Sequence, residues 1–387
     1  MAEGNVIPIR RVVTGNDERG RSTVVWDGPA PDVHHGEKGV NSWTDLWVWY
    51  DTLPPLSGTT DDGTLPYDFP GPPRGGHLRV VQSNGRPPGY DPAQDIRFML
   101  PHAPKPRTSN RVWDRGGRNA YVSDMHKTET VDYAILLEGE RNLILDDARV
   151  TWRPGDVVIQ VGAWHQWSSP TQRGRVLYDM IAAHFVDGVA AVAQGHDPVM
   201  RADPNRKLPG GAKPARRIVA IDREPGKSCL LEDGPSPDVC IDPARPGFAS
   251  SRMWVIDGAP AKLVFETLHL PRTIEPPRGG SVLSVISFPP DDRWKGTVGS
   301  AEVREFFRAM GSPGASTYSP QAPHPYMQKT HTLDFCAVLE GEMVLVLDTQ
   351  EVHLKAGDIV VQRGTNHAWS NRSNSPAVVA IAVHDAL

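Results

Sequence analysis

Cysteine is scarce in this sequence: Cys229, Cys240 and Cys336 are the only three among 387 residues. An odd, sparse set in a long chain argues against a disulfide framework and is what a reducing compartment permits. Long apolar runs are missing too, since no stretch approaches the ~20 consecutive apolar residues of a membrane span. The opening MAEGNVIPIRR lacks the apolar segment that a secretory signal needs. Neither sign of charge dominates, with a formal net charge of -5 and the signs mixed along the chain, which disfavours a polybasic surface for nucleic acid or lipid. P-loop, strand-linked GxGxxG and GxSxG patterns are also absent, which disfavours nucleotide and serine-hydrolase chemistry. These absences lead to the expectation of a cytoplasmic protein that acts on a small molecule, with no nucleic acid and no membrane as partner.

What is plentiful is turn chemistry, 36 Gly and 37 Pro, between short clusters of Val, Ile and Thr, and this composition predicts an all-β chain. One helix is expected over 300–310, capped by Ser300 with Glu302 in its first turn. The length exceeds one ordinary domain, and the chain repeats itself. RRVVTGNDERGRSTVVWDGPAPDV (10–33) matches RRIVAIDREPGKSCLLEDGPSPDV (216–239) without a gap at an offset of 206. PPRGG recurs at an offset of 204, MHKTETVDYAILLEGE (125–140) returns as MQKTHTLDFCAVLEGE (327–342) at 202, and IAAH (181–184) returns as IAVH (381–384) at 200. So slow a drift leaves little room for insertions, so both halves should share one fold. The Pro-, Gly- and charge-rich segment 195–215 reads as a linker between domains 1–194 and 216–387.

Within each half an acidic residue is followed seven positions later by a turn glycine, Asp132 with Gly139 and Asp334 with Gly341. A second pattern follows, Gly155, Gly162 and His165 in the first half and Gly357, Gly364, His367 and Asn371 in the second. These residues resemble the two sequence motifs of the cupins, and the duplication resembles a bicupin, which implies two tandem jelly-roll β-barrels. The departures from that pattern are Asp where Glu is usual, Thr128 and Thr330 in place of a second histidine, and Val161 and Arg363 in place of a proline.

At the ligand positions the resemblance implies His126, Asp132 and His165 as a metal set in the first barrel. In a regular strand His126, Thr128, Thr130 and Asp132 share a face, and Gly162 permits the tight turn that would bring His165 alongside. Two imidazoles and a carboxylate with open positions suit Fe(II) and also accept Zn, Mn, Ni or Cu. The second half reads Gln328, Asp334 and His367, and a neutral amide is a poor rival to imidazole for a transition metal. Its His331 has the wrong parity to join Asp334 and reads as a surface residue. Trp164, Trp167, Tyr133, Thr128 and His184 are the pocket candidates; His184 and His384 hold equivalent places, which suggests a shared inward position. His34, His35, His102 and His353 have no paired context and receive no role.

The resemblance implies a metal-dependent enzyme, with an Fe(II)-type dioxygenase acting on a small aromatic, enolic or diketo compound as the leading reading. A non-redox cupin (cyclase, isomerase, decarboxylase or lyase) and a barrel pair that only binds a small molecule are the alternatives. Bicupins also associate, so a homo-oligomer is open.

Overall fold

The computed structural model describes residues 6–36, 41–58, 60–91, 93, 105–106, 111–119, 121–169, 173–195, 199–203, 205, 207–212 and 214–387. His102 lies outside them. The chain forms two eight-stranded sheets with the same strand order. One runs Lys227–Pro235, Arg216–Glu224, Val157–Val161, Thr130–Glu138, Gly174–Ala182, Gly76–Ser83, Asn41–Trp49, Asp32–His35. The other runs Ser22–Pro29, Arg10–Asn16, Ile359–Arg363, Thr332–Glu340, Ala377–Asp385, Ser281–Phe288, Ala249–Ile256, Val239–Ile241. A three-stranded sheet backs each, Arg149–Trp152, Arg141–Ile144 and Gln166–Ser168 in the first and Glu351–Lys355, Glu342–Leu347 and His367–Ser370 in the second. The result is all-β, two tandem barrels of cupin type.

The repeats and the barrels do not coincide. The hairpin Arg10–Asn16 with Ser22–Pro29 belongs to the first repeat, yet it joins the second barrel through parallel pairing of Val12 with Val360. Reciprocally, the hairpin Arg216–Glu224 with Lys227–Pro235 joins the first barrel, Ile159 pairing with Val219. The same clasp secures both junctions: Arg10 binds Asp27 of its own hairpin and Asp358 of the other repeat, while Arg216 binds Asp233 and Asp156. The boundary at 195–215 therefore divides sequence repeats, and each sheet carries two strands from across it.

Strand faces follow the period of two. In Thr130–Glu138 the even positions Ala134 and Leu136 pack inside the first barrel with Trp152, Trp167 and Tyr178. The odd positions Val131, Tyr133 and Ile135 face the second barrel, meeting Leu333, Phe335 and Trp49 in a shared core. Both faces are buried, which is why these strands read as nearly continuous apolar runs. The interface also holds polar pairs: His384 Nε2 lies 2.9 Å from Asp179 Oδ2, and the Tyr133 hydroxyl lies 2.7 Å from that of Ser281. Tyr133 thus belongs to the seam between barrels and not to a pocket beside Asp132. The helix spans Ser300–Ala309 and buries Val303, Phe306 and Phe307. Its cap is Gly299, not Ser300: the Glu302 carboxylate accepts the Gly299 N–H at 2.9 Å, so the expected capping side chain is already inside the first turn. All three cysteines are free thiols. No helix among the described residues is long and apolar enough to cross a membrane.

Candidate metal centre and ligand cavity

His126 and His165 face each other across an antiparallel backbone bridge in which each N–H donates to the other's carbonyl at 2.9 Å. Their ring centroids are 4.2 Å apart. The turn that delivers His165 needs Gly162, whose φ is 56°; a Cβ there would lie 2.9 Å from the Phe185 ring. Nδ1 of His126 is 2.8 Å from the Asp124 carbonyl and Nδ1 of His165 is 2.9 Å from the Ala163 carbonyl. A carbonyl can only accept, so each Nδ1 carries the proton and each Nε2 the lone pair, the tautomer that metal-binding histidines adopt.

Thr128, Thr130 and Asp132 continue along the same face. The Thr128 and Thr130 hydroxyls are 2.8 Å apart, and Thr130 in turn hydrogen-bonds Asp132. Asp132 is buried, burial pushes its carboxyl up to about 7, and Oδ1 has no hydrogen-bond partner among the described residues. Trp167 stands edge-on to the His165 ring at 5.2 Å and reaches Tyr178 at 5.8 Å, which places it inside the barrel. Trp164 packs elsewhere, with Met125 and Ile144 and under the Arg115 guanidinium. His184 has a side chain 74% exposed near Glu129, so the equivalence with buried His384 does not extend to an inward position. The strand carrying His384 packs against Trp49 and Phe335, whereas His184 falls just beyond the end of its strand.

Behind the histidine pair lies a buried ion pair that sequence reading missed. Lys127 Nζ is 2.7 Å from Asp222 Oδ2 and 2.6 Å from the Ala191 carbonyl, and Asp222 Oδ1 accepts the Trp164 N–H at 2.9 Å. Asp222 comes from the exchanged hairpin and ties down the neighbours of both histidines. Burial holds Lys127 below the usual lysine range and Asp222 above the usual carboxylate range. The counterpart of Asp222, at an offset of 206, is Asn16, and that of Lys127, at an offset of 202, is Lys329; both line an open groove of about 690 Å³ instead. His331, just before the strand Thr332–Glu340, lines the same groove, while Asp334 lines the barrel cavity.

One group of three His, Cys, Asp or Glu side chains among the described residues has ligand atoms within 4.8 Å of one another: Asp32, His34 and Asp45. Asp132 is thus not gathered with His126 and His165 at that spacing. His34 Nε2 lies 3.1 Å from Asp32 and 3.2 Å from Asp45, a cluster able to coordinate a divalent metal. Asp45 also accepts from Arg79 Nε and from the Tyr67 hydroxyl, each at 2.9 Å, so a cation there would meet the like charge of the guanidinium. Asp32 and His34 share a strand face by parity, the only available signal; Asp45 joins from the next strand, which no spacing reveals.

The second barrel repeats the bridge with Gln328 and His367, the backbone bonds being 2.8 and 2.9 Å. Gln328 Nε2 is 3.2 Å from His367 Nε2, and His367 Nδ1 is 2.9 Å from the Thr365 carbonyl. Burial lowers the His367 imidazole to about 4 and raises the Asp334 carboxyl to about 6. All three line a cavity walled by Phe248, Phe288, Phe306 and Trp369.

Residues 314–384 match the family model described as "Cupin domain". A 50-residue stretch is 54% identical to phomopsin biosynthesis cluster protein C' of Diaporthe leptostromiformis, covering 13% of this chain and 26% of that protein. Another of 55 residues is 44% identical to the cupin-domain-containing oxidoreductase virC of Hypocrea virens, covering 14% and 28%. These matches span only about a quarter of the length of the curated relatives. Among solved structures, the bacterial pirin YhhW of Escherichia coli in complex with nickel(II) aligns over 91% of this chain and 95% of its own, with a TM-score of 0.35 and 8% identity. Residues 314–384 thus carry a cupin domain, the first barrel repeats its strand order, and the Asp32, His34 and Asp45 group can coordinate a divalent metal.

Proposed function

We propose, from the premise of two cupin barrels, that the chain is a metal-dependent dioxygenase working from its first barrel on a small aromatic, enolic or diketo compound. His126 and His165 hold one divalent transition metal, with Fe(II) favoured over Zn, Mn, Ni or Cu, and Asp132 is the third ligand. The observation that carries this reading is the histidine bridge: adjacent rings, each with its Nδ1–H given to a backbone carbonyl. The buried Oδ1 of Asp132 has no hydrogen-bond partner among the described residues, as suits a donor whose natural counterpart is a cation. It must close a distance, since the three donors are not within 4.8 Å of one another.

Bound there, the metal would supply an open redox site for O2 and a chelating substrate together. The chain's own residues do the rest. The Asp124 and Ala163 carbonyls fix both imidazole planes, Trp167 forms an apolar wall beside His165, and Asp222 anchors the segments on either side. The oxidoreductase description of the Hypocrea relative agrees with a redox assignment. The test is oxygen uptake by the Fe(II)-loaded chain with enolic and diketo substrates. Uptake that disappears in His126→Ala and His165→Ala supports the proposal, and turnover under strict anaerobiosis would move the chain to the non-redox cupins.

A further inference from the structure

Three residues that line the cavity of the second barrel, Arg245, Asp334 and Trp369, each have a buried polar atom with unmet hydrogen-bonding capacity. Arg245 is 3% exposed and lies against the rings of Tyr326, Phe248 and Phe306, at 3.6, 4.0 and 4.4 Å. Its Nε gives a hydrogen bond to Asp242 at 2.7 Å, and the same carboxylate takes the Tyr326 hydroxyl at 2.8 Å. Arg245 Nη2 has no partner among the described residues. Nor have Oδ1 of Asp334 and Nε1 of Trp369, and all three residues line the same cavity. Buried polar atoms are nearly always paired, so orphans on residues lining one cavity specify what should fill it.

A guanidinium can only donate, so its missing partner is an acceptor, best an anion. Much of the remaining lining is aromatic and aliphatic, including Phe288, Trp369 and Ile381, which suits a flat or branched apolar body. The unpartnered Oδ1 of Asp334 calls for a hydroxyl that donates to the carboxylate, or for a keto oxygen that accepts from the carboxylic acid. Gln328 and Thr330 add amide and hydroxyl groups to the lining. This barrel has the fold of its twin but an amide in place of the first imidazole, and two arginines from outside both cupin motifs line its cavity, Arg272, which is tied to Asp238, and Arg245.

We propose that the second barrel is a binding site for a small apolar carboxylic acid bearing a hydroxyl or keto group, with Arg245 holding the carboxylate and Asp334 the oxygen function. The site stands independently of the metal reading of the first barrel. Titration calorimetry of the full chain with 4-hydroxybenzoate, benzoate, 4-methyl-2-oxopentanoate and methyl 4-hydroxybenzoate tests it. The expected result is saturable binding of at least one of the two oxygen-bearing acids, lost for the methyl ester and weakened roughly 10- to 100-fold in Arg245→Met. Because Arg245 also packs against three rings, Asp334→Asn is the second variant. It keeps the volume and should erase the preference for 4-hydroxybenzoate over benzoate, or weaken the keto acid alone. No saturable binding of any acid, equal binding of the ester, or unchanged binding in a folded Arg245→Met would each overturn the proposal.

Discussion

The amide nitrogen of Gln328 lies 3.2 Å from Nε2 of His367, across the same backbone bridge that sets His126 against His165. An amide N–H satisfies a neutral imidazole nitrogen by donating to it. Two imidazoles with pinned Nδ1–H groups instead bring together two ring nitrogens suited to a metal. One substitution thus divides two otherwise parallel sites.

If the amide is the only obstacle, Gln328→His raises the number of divalent ions bound per chain from one to two. Equilibrium dialysis with Co(II), read by elemental analysis and by the visible spectrum, decides it. An unchanged stoichiometry would show that the second barrel is short of more than one ligand.

In the first barrel, His126→Ala and His165→Ala should each weaken metal affinity by more than the roughly 10- to 100-fold that loss of an outer-shell partner costs. Competition against a chelator measures this directly. Far-UV circular dichroism should be unchanged, because the bridge between residues 126 and 165 is made by backbone atoms.

Asp222→Asn leaves Lys127 as an uncompensated buried cation and should destabilise the protein by about 3–5 kcal/mol, seen as a lower urea midpoint. Replacing both partners by apolar residues, Lys127→Met with Asp222→Leu, should recover most of that loss. A double variant no better than the single one would show that the Asp222 bond to the Trp164 N–H, and not the ion pair, carries the effect.

Asp334 and His367 make opposed contributions to stability over one pH window. The raised Asp334 carboxyl contributes stability that is full below about 3.8 and is lost as pH rises through about 6. The lowered His367 imidazole contributes stability that is full above about 6.5 and is lost as pH falls through about 4. Each is on the order of 3 kcal/mol, so they largely cancel in the wild-type protein. Relative to wild type, Asp334→Asn should therefore gain stability as pH rises from 4 to 6, and His367→Gln should lose it from 4 to 6.5. Urea unfolding across that range measures both slopes, and parallel curves for all three proteins would refute the pairing.

Much of the fold was legible because it depends on local periodicity. Apolar runs of strand length, turn glycines such as Gly139 and Gly341, and the near-constant repeat offset fix two similar barrels. The same period of two places Thr128, Thr130 and Asp132 on one face, and the Gly162 turn supports bringing His165 to His126. Contacts made between strands distant in sequence were not legible. Asp45 beside His34, Asp222 behind His126 and Arg245 in the second cavity all come from segments whose approach no spacing encodes. His184 misled for the same reason: equivalent sequence position does not guarantee equivalent packing once its strand has ended.

By itself, then, the sequence determined the strands, their faces and the duplication, since these follow from residue type and interval. Only the tertiary structure decided which barrel each opening hairpin joins. The edges at Val157–Val161 and Ile359–Arg363 offer the same backbone pairing to hairpins that are themselves near copies, so local preference cannot choose between them. The choice falls to the chain path and to clasps such as Arg10 with Asp358 and Arg216 with Asp156, which join segments remote in sequence.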